Sequence, residues 1–412
     1  MKKRTQAIIL AAGQSTRMIT DLPKVLHEVC GRPMLAYVLD ACRQAGIARM
    51  LVVVGYQKEK VLEAFPDEKG VQWVVQSRQS GTADAVKTCR KHLKDWRGNT
   101  MVLCGDAPLV RAETIKTLIA THEKESSAAT LATAVLDDPT GYGRIIRDAY
   151  GNLEGIVEEV ECTPQQREIR EINPSYYCFD NQALFAALSK VKPSPKKKEY
   201  YLTDVLGVMV KQSRRLAAVT AVPPEDVLGI NSRRQLAAVS EVMKFRILDR
   251  FMASGVTIVD PDNTWIDARA QIGQDTVIRP FTFIHGRVRI GKGCQIGPFA
   301  YLREGTVLAD DVVLGVFTEV KNSQMGSGTR VRHLSYIGDS QLGRQVNIGA
   351  GAITANFDGE QVRQTIVGDN AFVGQGSVLV APLKVKAKSQ ILPGAIVEAK
   401  GNCNGQKETK RK

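Results

Sequence analysis

Two different patterns of apolar positions divide the chain. Over residues 1–230, short apolar runs alternate with stretches in which apolar residues recur at helical spacing. Runs typical of β-strands lie at 6–12, 48–55, 71–77 and 99–106, and stretches typical of helices lie at 34–46, 112–126 and 232–253. Strands separated by helical crossovers predict a parallel sheet with helices on both faces.

A six-residue period replaces these patterns in the second part of the chain. The recurring aliphatic positions are Ile266, Ile272, Ile278, Ile284, Ile290, Ile296, Leu302, Leu308, Leu314 and Val320, then, after one-residue slips, Met325, Val331, Ile337, Leu342 and Ile348, and finally Val367, Val373, Leu379, Val385, Ile391 and Val397. A helix cannot keep such a period on one face. A triangular parallel β-helix can, because six residues form one flat side and the aliphatic residue points inward. The pattern predicts roughly seven coils.

Glycines follow the inward aliphatic residue in many of these repeats. They are Gly273, Gly291, Gly297, Gly315, Gly338, Gly343, Gly349, Gly368 and Gly374. We expect them at the corners of the coil, in backbone conformations that favour glycine. The polar insertion at 354–364 interrupts the period, and each coil is complete without it. We therefore expect a functional loop there, with a tolerated insertion as the alternative.

Composition narrows the class of protein. At about 100–200 residues per domain, the 412 residues correspond to two to four domains. A content of 43% hydrophobic and 24% charged residues excludes a disordered chain. No run of about 18 apolar residues is present, which excludes a transmembrane helix. The N-terminal apolar run leads into a glycine loop rather than a cleavage site, so we expect a cytoplasmic protein. The eight cysteines form no C-x-x-C pair, which argues against a structural zinc site.

The net charge of +13 raises the question of nucleic-acid binding. Basic runs lie at 196–198 and in the tail at 407–412, with no interleaved aromatic residues and no recognised nucleic-acid module. We interpret these basic residues as solvent-exposed charges of a loop and of the C-terminal tail. A role in attracting phosphorylated small molecules is the alternative.

The first predicted strand leads directly into the loop LAAGQSTRM at 10–18. A small, glycine-containing loop after a first parallel strand lets backbone N–H groups approach phosphates. Arg17 and Lys24 add positive charge for a polyphosphate. The glycine spacing fits neither a Walker loop nor a dinucleotide fingerprint.

These residues resemble a known family. The pair LAAGQSTRM and LPKVLH is similar to the signature of sugar-phosphate nucleotidyltransferases, and further matching segments follow in order at 76–82, 104–108, 138–144, 155–158, 171–173 and 229–231. With the hexapeptide β-helix appended, nearly the whole chain resembles the bacterial bifunctional UDP-N-acetylglucosamine pyrophosphorylase / glucosamine-1-phosphate N-acetyltransferase family.

The resemblance implies an α/β Rossmann-like nucleotidyltransferase domain at 1–231, a linker helix at 232–256, a left-handed parallel β-helix acetyltransferase domain at 257–398 and a basic tail at 399–412. It implies transfer of UMP from UTP to N-acetylglucosamine 1-phosphate, and acetylation of glucosamine 1-phosphate by acetyl-CoA, for cell-envelope precursors. A cytoplasmic homotrimer that uses Mg²⁺ and binds neither nucleic acid nor membrane is implied as well.

The family pattern also assigns roles in the nucleotide site. Leu10, Ala11, Ala12 and Gly13 would contact the nucleotide; Gln76, Gly81 and Thr82 would recognise uracil; Arg17 and Lys24 would neutralise phosphates; Asp106 and Asn231 would hold Mg²⁺; and Gly143, Glu158 and Asn173 would hold the amino sugar. Other interpretations stay open: Asp106 and Asn231 as helix caps, and Arg17 and Lys24 as a solvated face. The family's Asn-Thr-Gly is replaced by Asn-Pro-Ser at 173–175, which puts the fit to the sugar in doubt.

In the β-helix, the family pattern makes His333 the general base that takes the amine proton. Without that pattern, a single histidine in a solenoid is more often structural. Arg303 and Lys321 would bind the sugar phosphate, Glu319 would tune the base, and Tyr336, Asn347 and Asn356 would contact substrate. The chain departs from the pattern at Val362, Gln375 and Pro393 and has a short C-terminal segment, which affects mostly acetyl-CoA binding. Two alternatives therefore remain: a pyrophosphorylase whose β-helix serves only trimerisation, and a non-catalytic regulator, against which the intact Arg17, Lys24, Asp106 and Asn231 argue.

Overall fold

A computed structural model describes residues 4–14, 16–194 and 199–399. The chain forms two compact units, 1–240 and 241–412, and the division falls inside a long helix. The basic run at 196–198 and the tail from 400 onward lie outside the described residues. None of the helices in the described ranges is long and apolar enough to cross a membrane.

The first unit is an α/β domain. Its strands are β1 (Thr5–Ala11), β2 (Glu28–Val29), β3 (Arg32–Pro33), β4 (Met50–Val54), β5 (Val71–Val75), β6 (Asn99–Cys104), β7 (Ala129–Val135), β8 (Gly143–Arg147), β9 (Leu153–Val157), β10 (Glu171–Asp180) and β11 (Leu216–Thr220). Its helices are α1 (Met34–Gln44), α2 (Lys58–Ala64), α3 (Thr82–Thr88), α4 (Arg90–Leu93), α5 (Ala112–Glu125), α6 (Pro164–Arg167), α7 (Asn181–Leu188) and α8 (Asp204–Lys211), and α9 (Arg233–Ala253) follows them.

The main sheet has the strand order β11-β7-β10-β6-β1-β4-β5, with the hairpin β8–β9 attached through β10. The four predicted strands are present as β1, β4, β5 and β6, all parallel to their neighbours in this group. The expectation of a wholly parallel sheet is wrong, because β10 runs antiparallel to both β6 and β7. The chain reaches β10 through the β8–β9 hairpin rather than through a helical crossover, so the strand returns in the opposite direction.

Both faces of this sheet are buried, as the crossover pattern predicted. Along β1, Ala7 and Ile9 pack on the side of α1 and α5, and Ile8 packs on the side of α3, α7 and α8. Alternate side chains of a strand point to opposite faces, so a continuously apolar strand fits a sheet covered on both sides. The sheet core therefore holds the ends of β1 and β6 side by side, with Leu10 opposite Cys104.

The second unit is a parallel β-helix built from short strands. They are β12 (Thr257–Ile258), β13 (Trp265–Ile266), β14 (Gln271–Ile272), β15 (Val277–Ile278), β16 (Phe283–Ile284), β17 (Arg289–Ile290), β18 (Gln295–Ile296), β19 (Tyr301–Leu302), β20 (Val307–Leu308), β21 (Val313–Val316), β22 (Glu319–Lys321), β23 (Gln324–Met325), β24 (Arg330–His333), β25 (Tyr336–Gly338), β26 (Ser340–Leu342), β27 (Asn347–Ile348), β28 (Ile353–Ala355), β29 (Thr365–Val367), β30 (Phe372–Val373), β31 (Val378–Val380), β32 (Leu383–Val385), β33 (Gln390–Ile391) and β34 (Ile396–Val397). Every third strand stacks on the next, which gives three sheets with eight, eight and seven strands.

The predicted period is confirmed by burial. Most of the repeating aliphatic residues are buried in the interior, from Ile266 through Val385. Ile272 near the first coil, and Ile391 and Val397 in the last coil, are only half-buried. A solenoid covers each coil with its neighbours, so residues of its end coils have fewer neighbours to pack against.

The repeat glycines are present as predicted, but not for the expected reason. Only Gly297 of that set has a positive φ; in several of these repeats the left-handed residue lies two positions after the glycine, as at Asp275 and Gln345. The glycines instead allow close approach between coils. A Cβ at Gly315 would overlap the backbone oxygen of Arg332, and one at Gly349 would lie 2.6 Å from the nitrogen of Gln375. Glycine is needed at these two positions because the backbone of the next coil occupies the space that a side chain would take.

Candidate active sites

The loop after β1 lies at the carboxyl edge of the sheet. The N–H of Gly105 donates to the oxygen of Leu10 at 2.9 Å, which joins this loop to the end of β6. Gln79 Nε2 donates to the oxygen of Ala12 at 2.9 Å. At Gly13 no heavy atom lies within 4 Å of the place a Cβ would take, so its backbone borders open space. Gly13, which follows Leu10, Ala11 and Ala12 at the end of β1, thus forms an open edge that a phosphate can approach.

A cluster of charged and amide groups lies beside this edge. Lys24 Nζ donates to Asp106 Oδ2 and, at 2.9 Å, to Asn231 Oδ1. Arg17 Nη2 donates to the same Asn231 oxygen at 2.8 Å. The side chains of Lys24 and Asp106 are only 14% and 29% exposed, so this ion pair is partly screened from water. Four of the predicted site residues are brought together here, from distant parts of the first unit.

The residue that caps α9 is Ser232 and not Asn231. Ser232 Oγ accepts a hydrogen bond from the N–H of Gln235 at 3.2 Å, which is the N-cap contact of α9. The Gln235 side chain in turn accepts from the N–H of Asn231 at 2.8 Å. The Asn231 side chain is therefore available to Lys24 and Arg17.

The donor set of this cluster suits a hard cation. The oxygens of Asp106 and Asn231 converge on a single ammonium, so both can reach one positive charge. One carboxylate and one amide oxygen are ligands that Mg²⁺ accepts while it keeps waters and substrate phosphates. Among the described residues no group of three or more His, Cys, Asp and Glu side chains is placed to hold a metal ion by itself. Burial raises the pKa of the nearby Cys104 thiol to about 12, so this sulfur stays protonated and is not a nucleophile at neutral pH.

The residues predicted for uracil lie at the start of α3. Gln76 is buried, and its Nε2 donates to Asp84 Oδ2 at 2.9 Å and to the oxygen of Gly81 at 3.3 Å. Gly81 has a φ of 111°, and a Cβ there would overlap the backbone of Tyr200. Thr82 Oγ1 accepts from the N–H of Leu202 at 2.9 Å. The amide of Gln76 is therefore held in one orientation, as base recognition requires.

The residues predicted for the amino sugar also meet. Gly143 pairs with Asn173 across β8 and β10, and a Cβ at Gly143 would lie 3.5 Å from Glu158 Oε2. Asn173 Nδ2 donates to the Tyr177 hydroxyl at 2.7 Å, and its Oδ1 accepts from the N–H of Ser175 at 3.0 Å. Ser175 has a φ of 68°, so this serine adopts the conformation that favours the glycine of the family pattern.

In the β-helix, one flat face carries a ladder of polar residues. Tyr301, Glu319 and Tyr336 occupy the same register position in β19, β22 and β25. Arg303 donates to Glu319 Oε1 at 2.9 Å, and this hydrogen bond raises the pKa of the guanidinium. Arg303 therefore remains a cation at the edge of this face.

A second group lies at the end of the same strands. The Asp339 carboxylate accepts a hydrogen bond from Asn356 Nδ2 and another, at 2.6 Å, from Asn322 Nδ2. Lys321 Nζ lies 3.8 Å from Oδ2 of the same carboxylate. Asn356 Nδ2 also lies 3.5 Å from the Tyr336 hydroxyl. Asp339 thus links three side chains in one polar network with Tyr336 at its border.

His333 and Asn347 lie on the neighbouring face. His333 ends β24 opposite Val316, three residues before Tyr336 at the start of β25, and its side chain is exposed. Asn347 pairs with Arg330 and Phe372 instead. The structure thus brings Arg303 to Glu319, and Lys321 and Asn356 to Asp339, and places His333 near the corner, while Asn347 lies in another ladder.

The insertion at 354–364 is an ordered loop. Asp358 Oδ1 accepts from the N–H groups of Glu360 and Gln361, and these bonds lower the pKa of its carboxyl to about 2. Arg363 donates to Asp358 Oδ2 at 3.2 Å, and Phe357 bridges to Val362. The loop holds Asn356 at its base, where this asparagine meets Asp339.

Sequence reasoning missed three residues that orient others. Asp84 holds the Gln76 amide, Gln79 contacts the loop at Ala12, and Asp339 centres the network of the β-helix. Asp339 follows a repeat glycine directly, at a position left out of the candidate set. The signal that could have found it is charge balance, since a partly buried lysine such as Lys321 calls for a carboxylate partner.

The two folds and their polar sites define a nucleotidyltransferase joined to a hexapeptide-repeat transferase. A family model described as MobA-like NTP transferase domain matches residues 7–172. A model described as bacterial transferase hexapeptide (six repeats) matches residues 269–303. Among solved structures, a UDP-glucose pyrophosphorylase complexed with UDP-glucose matches with a TM-score of 0.49 and 18% identity, covering 59% of this chain and 99% of that one.

Curated relatives match along nearly the full length. A bifunctional protein GlmU from Pelotomaculum thermopropionicum is 44% identical, over 92% of this chain and 90% of that protein. One from Heliobacterium modesticaldum is 43% identical, over 96% of this chain and 93% of that protein. The chain belongs to the GlmU family of bifunctional proteins, and it is an enzyme with a uridylyltransferase and an acetyltransferase activity, as the sequence predicted.

Proposed function

We propose that the first unit transfers UMP from UTP to N-acetylglucosamine 1-phosphate and releases pyrophosphate. The observation that carries this proposal is the cluster beside the β1 loop, in which Lys24 contacts Asp106 and Asn231, and Arg17 contacts the same Asn231 oxygen. Asp106 and Asn231 would hold Mg²⁺, which neutralises the triphosphate when bound. Gln76, Gly81 and Thr82 would select uracil, and Gly143, Glu158 and Asn173 would position the sugar.

The chain's own residues act mainly by positioning and by charge. The sugar-phosphate oxygen attacks the α-phosphorus of UTP, a new P–O bond forms, and the bond to pyrophosphate breaks with the electrons leaving on its oxygen. Lys24 and Arg17 lie where they can pair with the phosphate oxygens as this charge develops. Leu10, Ala11, Ala12 and Gly13 would present backbone N–H groups to the same phosphates.

The test of this proposal removes the anionic ligand. Asp106→Ala should lower the rate of pyrophosphate release by ~10² or more, because only one neutral oxygen ligand then remains beside a highly charged leaving group. Asp95→Ala, which changes an exposed aspartate of the same unit, serves as the matched control and should keep the full rate. Wild-type turnover in Asp106→Ala would contradict the metal assignment.

We further propose that the second unit acetylates glucosamine 1-phosphate with acetyl-CoA as co-substrate. The amine nitrogen attacks the thioester carbonyl, the C–N bond forms, and the C–S bond breaks to release CoA as its thiol. His333 would take the amine proton, and Glu319 would tune this base. Arg303 and Lys321 would bind the sugar phosphate, and Tyr336, Asn347 and Asn356 would contact the substrate. The exposed imidazole of His333 beside the Tyr336 strand supports this assignment.

Release of CoA thiol measures this second reaction. A general base contributes ~10²–10⁴-fold, so His333→Ala should abolish most of the kcat for acetyl transfer and leave uridylyl transfer intact. The departures at Val362, Gln375 and Pro393 should appear as a high KM for acetyl-CoA rather than a low kcat. Contacts to acetyl-CoA that are equally strong in the ground state and in the transition state affect KM and leave kcat unchanged. No CoA release from wild type with glucosamine 1-phosphate at millimolar acetyl-CoA would contradict the proposed substrates of the second unit.

The proposed assembly is a homotrimer, with a cytoplasmic location. Three phenylalanines of the β-helix support self-association: Phe281, Phe299 and Phe317 form a stack with ring centroids 4.8 and 5.1 Å apart. All three are 44–57% exposed in the single chain. Contiguous exposed apolar surface of this kind is typical of an interface.

A further inference from the structure

Gln76 follows β5 at the same carboxyl edge of the sheet as the β1 loop, with β4 between the two strands. Its backbone N–H donates to the oxygen of Val54 at 2.8 Å, which ties it to the end of β4. At Gly55, a Cβ would lie 2.9 Å from the oxygen of Ala12 and 3.3 Å from the oxygen of Gln76. This close approach keeps Gln76 beside the loop proposed for the phosphates, where the base of the same nucleotide would lie.

The partners of the Gln76 amide fix its orientation. Nε2 donates to Asp84 Oδ2 at 2.9 Å and to the oxygen of Gly81 at 3.3 Å. Carboxylate and carbonyl oxygens accept hydrogen bonds and do not donate them. A rotation of the amide by 180° would therefore set its Oε1 against two acceptors. Because Nε2 serves these two partners, Oε1 is the amide atom left to meet a ligand, and it can only accept.

Asp84 is the stronger of these two partners. Its hydrogen bond to Nε2 is the shorter one, and a charged carboxylate is a better acceptor than a neutral carbonyl. The oxygen of Gly81 is also shared, since it accepts the N–H of Ala85 at 3.1 Å in the first turn of α3. The orientation of the Gln76 amide therefore depends mainly on Asp84.

Uracil and cytosine differ at the atoms that such an amide reads. Uracil presents an O4 acceptor and an N3–H donor, whereas cytosine presents an N4 amino donor and an N3 acceptor. The N3–H of uracil can donate to Oε1. Cytosine in the same place would set its N3 lone pair against Oε1, and only a rotated amide, with Nε2 toward the base, could donate to it. The orientation of the amide thus selects between the two bases.

We propose that Asp84 determines the preference of the first unit for uracil over cytosine, by holding the Gln76 amide with its Oε1 toward the base. Asp84 is a positioning residue, because it acts through Gln76 rather than on the nucleotide. The inference rests on the proposed transfer of UMP and adds to it the residue that sets the choice of base.

Isothermal titration of the full chain with UTP and with CTP, each with Mg²⁺ and without sugar phosphate, tests this proposal. Wild type should bind UTP about tenfold to a hundredfold more tightly than CTP, because cytosine leaves Oε1 without a donor. Asp84→Asn keeps the size of the side chain but offers a donor as well as an acceptor, so either orientation of the Gln76 amide can be held. The ratio of the two affinities should fall by about five- to tenfold in this variant.

The matched control is Glu113→Gln, which makes the same change from acid to amide in the first turn of α5. It should keep the wild-type ratio, which separates the role of Asp84 from a general effect of charge at a helix N-terminus.

A double variant tests whether Asp84 acts through Gln76. Gln76→Leu should abolish the preference for UTP, and adding Asp84→Asn should change the ratio no further. Equal affinity of wild type for UTP and CTP, an unchanged ratio in Asp84→Asn, or a further change in the double variant would overturn the proposal for Asp84 while UMP transfer still stands. Absence of saturable UTP binding to wild type would instead contradict the proposed reaction of the first unit, and the role of Asp84 with it.

Discussion

Asn231 and Ser232 divide two tasks between adjacent side chains. Ser232 caps α9 through the N–H of Gln235, and Asn231 is then available to accept from Arg17 and Lys24. Either residue type is a good helix cap, so the sequence left both interpretations of Asn231 open. The choice between them depends on which side chain lies next to the helix N–H groups, and that is decided by the path of the chain into α9.

Ser175 has a left-handed backbone conformation at a position where the family pattern has glycine. Its φ of 68° lies where β10 has an irregular register between Ile172 and Tyr176. The N–H of Ser175 bonds to the Asn173 side chain, which offsets part of the cost of this conformation. The serine of this chain therefore holds a backbone conformation suited to glycine beside the residues proposed to position the sugar.

We expect His27 to lower the stability of the first unit in mild acid. Arg233 donates to His27 Nδ1 at 3.2 Å, and burial, together with the charge of Arg233, lowers the pKa of this imidazole below its ordinary 6.5. The unfolded chain therefore binds a proton at a higher pH than the folded chain does. Stability contributed by the neutral imidazole is present above pH 6.5 and is lost as the pH falls below it.

This dependence can be measured by urea unfolding at pH 7.5 and pH 5.5. Wild type should lose more free energy of unfolding between the two pH values than His27→Gln, whose side chain stays neutral throughout. Each protein is compared with its own value at pH 7.5, so a general effect of the substitution cancels. An identical loss in both proteins would contradict the assigned role of His27.

At the scale of single elements, the β-helix depends on glycines for contact between coils. Gly315 in β21 lies directly over the backbone of Arg332 in β24, and the two strands are paired through Val313 and Arg330. Any side chain at 315 must push neighbouring coils apart, because the atom it meets belongs to the backbone and cannot rotate away.

Gly315→Ala should therefore destabilise the second unit by about 3 kcal/mol through overpacking, seen as a lower midpoint in thermal unfolding followed by circular dichroism. The matched control is Gly376→Asn. Gly376 has a φ of 66° and open space around its Cβ position, and asparagine tolerates that conformation, so the cost should stay below about 1 kcal/mol. Equal midpoints for the two variants would show that coil contact at Gly315 is not tight.

At the scale of the whole molecule, the chain combines two transferase activities in two units. Each predicted site lies within one unit: Arg17, Lys24, Asp106 and Asn231 belong to the first, and His333 belongs to the second. We therefore expect point variants to separate the activities.

Self-association of the β-helix is the prediction at this scale. Light scattering should give a mass of about 135 kDa, three times the 45.1 kDa of one chain. Phe299→Asn should shift the protein toward the monomer, because it interrupts the stack of exposed rings while asparagine accepts the φ of 55° at this position. Leu392→Asn, which changes an exposed leucine outside this stack, is the control and should keep the trimer. A wild-type monomer at micromolar concentration would refute the proposed assembly.

The sequence by itself determined the β-helix almost completely. Its inward positions, from Ile266 to Val385, could be read from spacing, because each repeat buries its aliphatic residue against the next and the pattern is local. Strands β1, β4, β5 and β6 and helices α1, α5 and α9 were predictable for the same reason, because their apolar positions follow a local period. The association of Asn231 with Arg17 and Lys24 was found through the resemblance to a family, since residues more than 200 positions apart carry no local signal of contact.

Only the tertiary structure decided the rest. The antiparallel direction of β10 depends on how the β8–β9 hairpin returns to the sheet, and no period in the sequence records a strand's direction. The repeat glycines of the β-helix were visible, but their reason, the overlap of a Cβ with the next coil, exists only once coils are stacked.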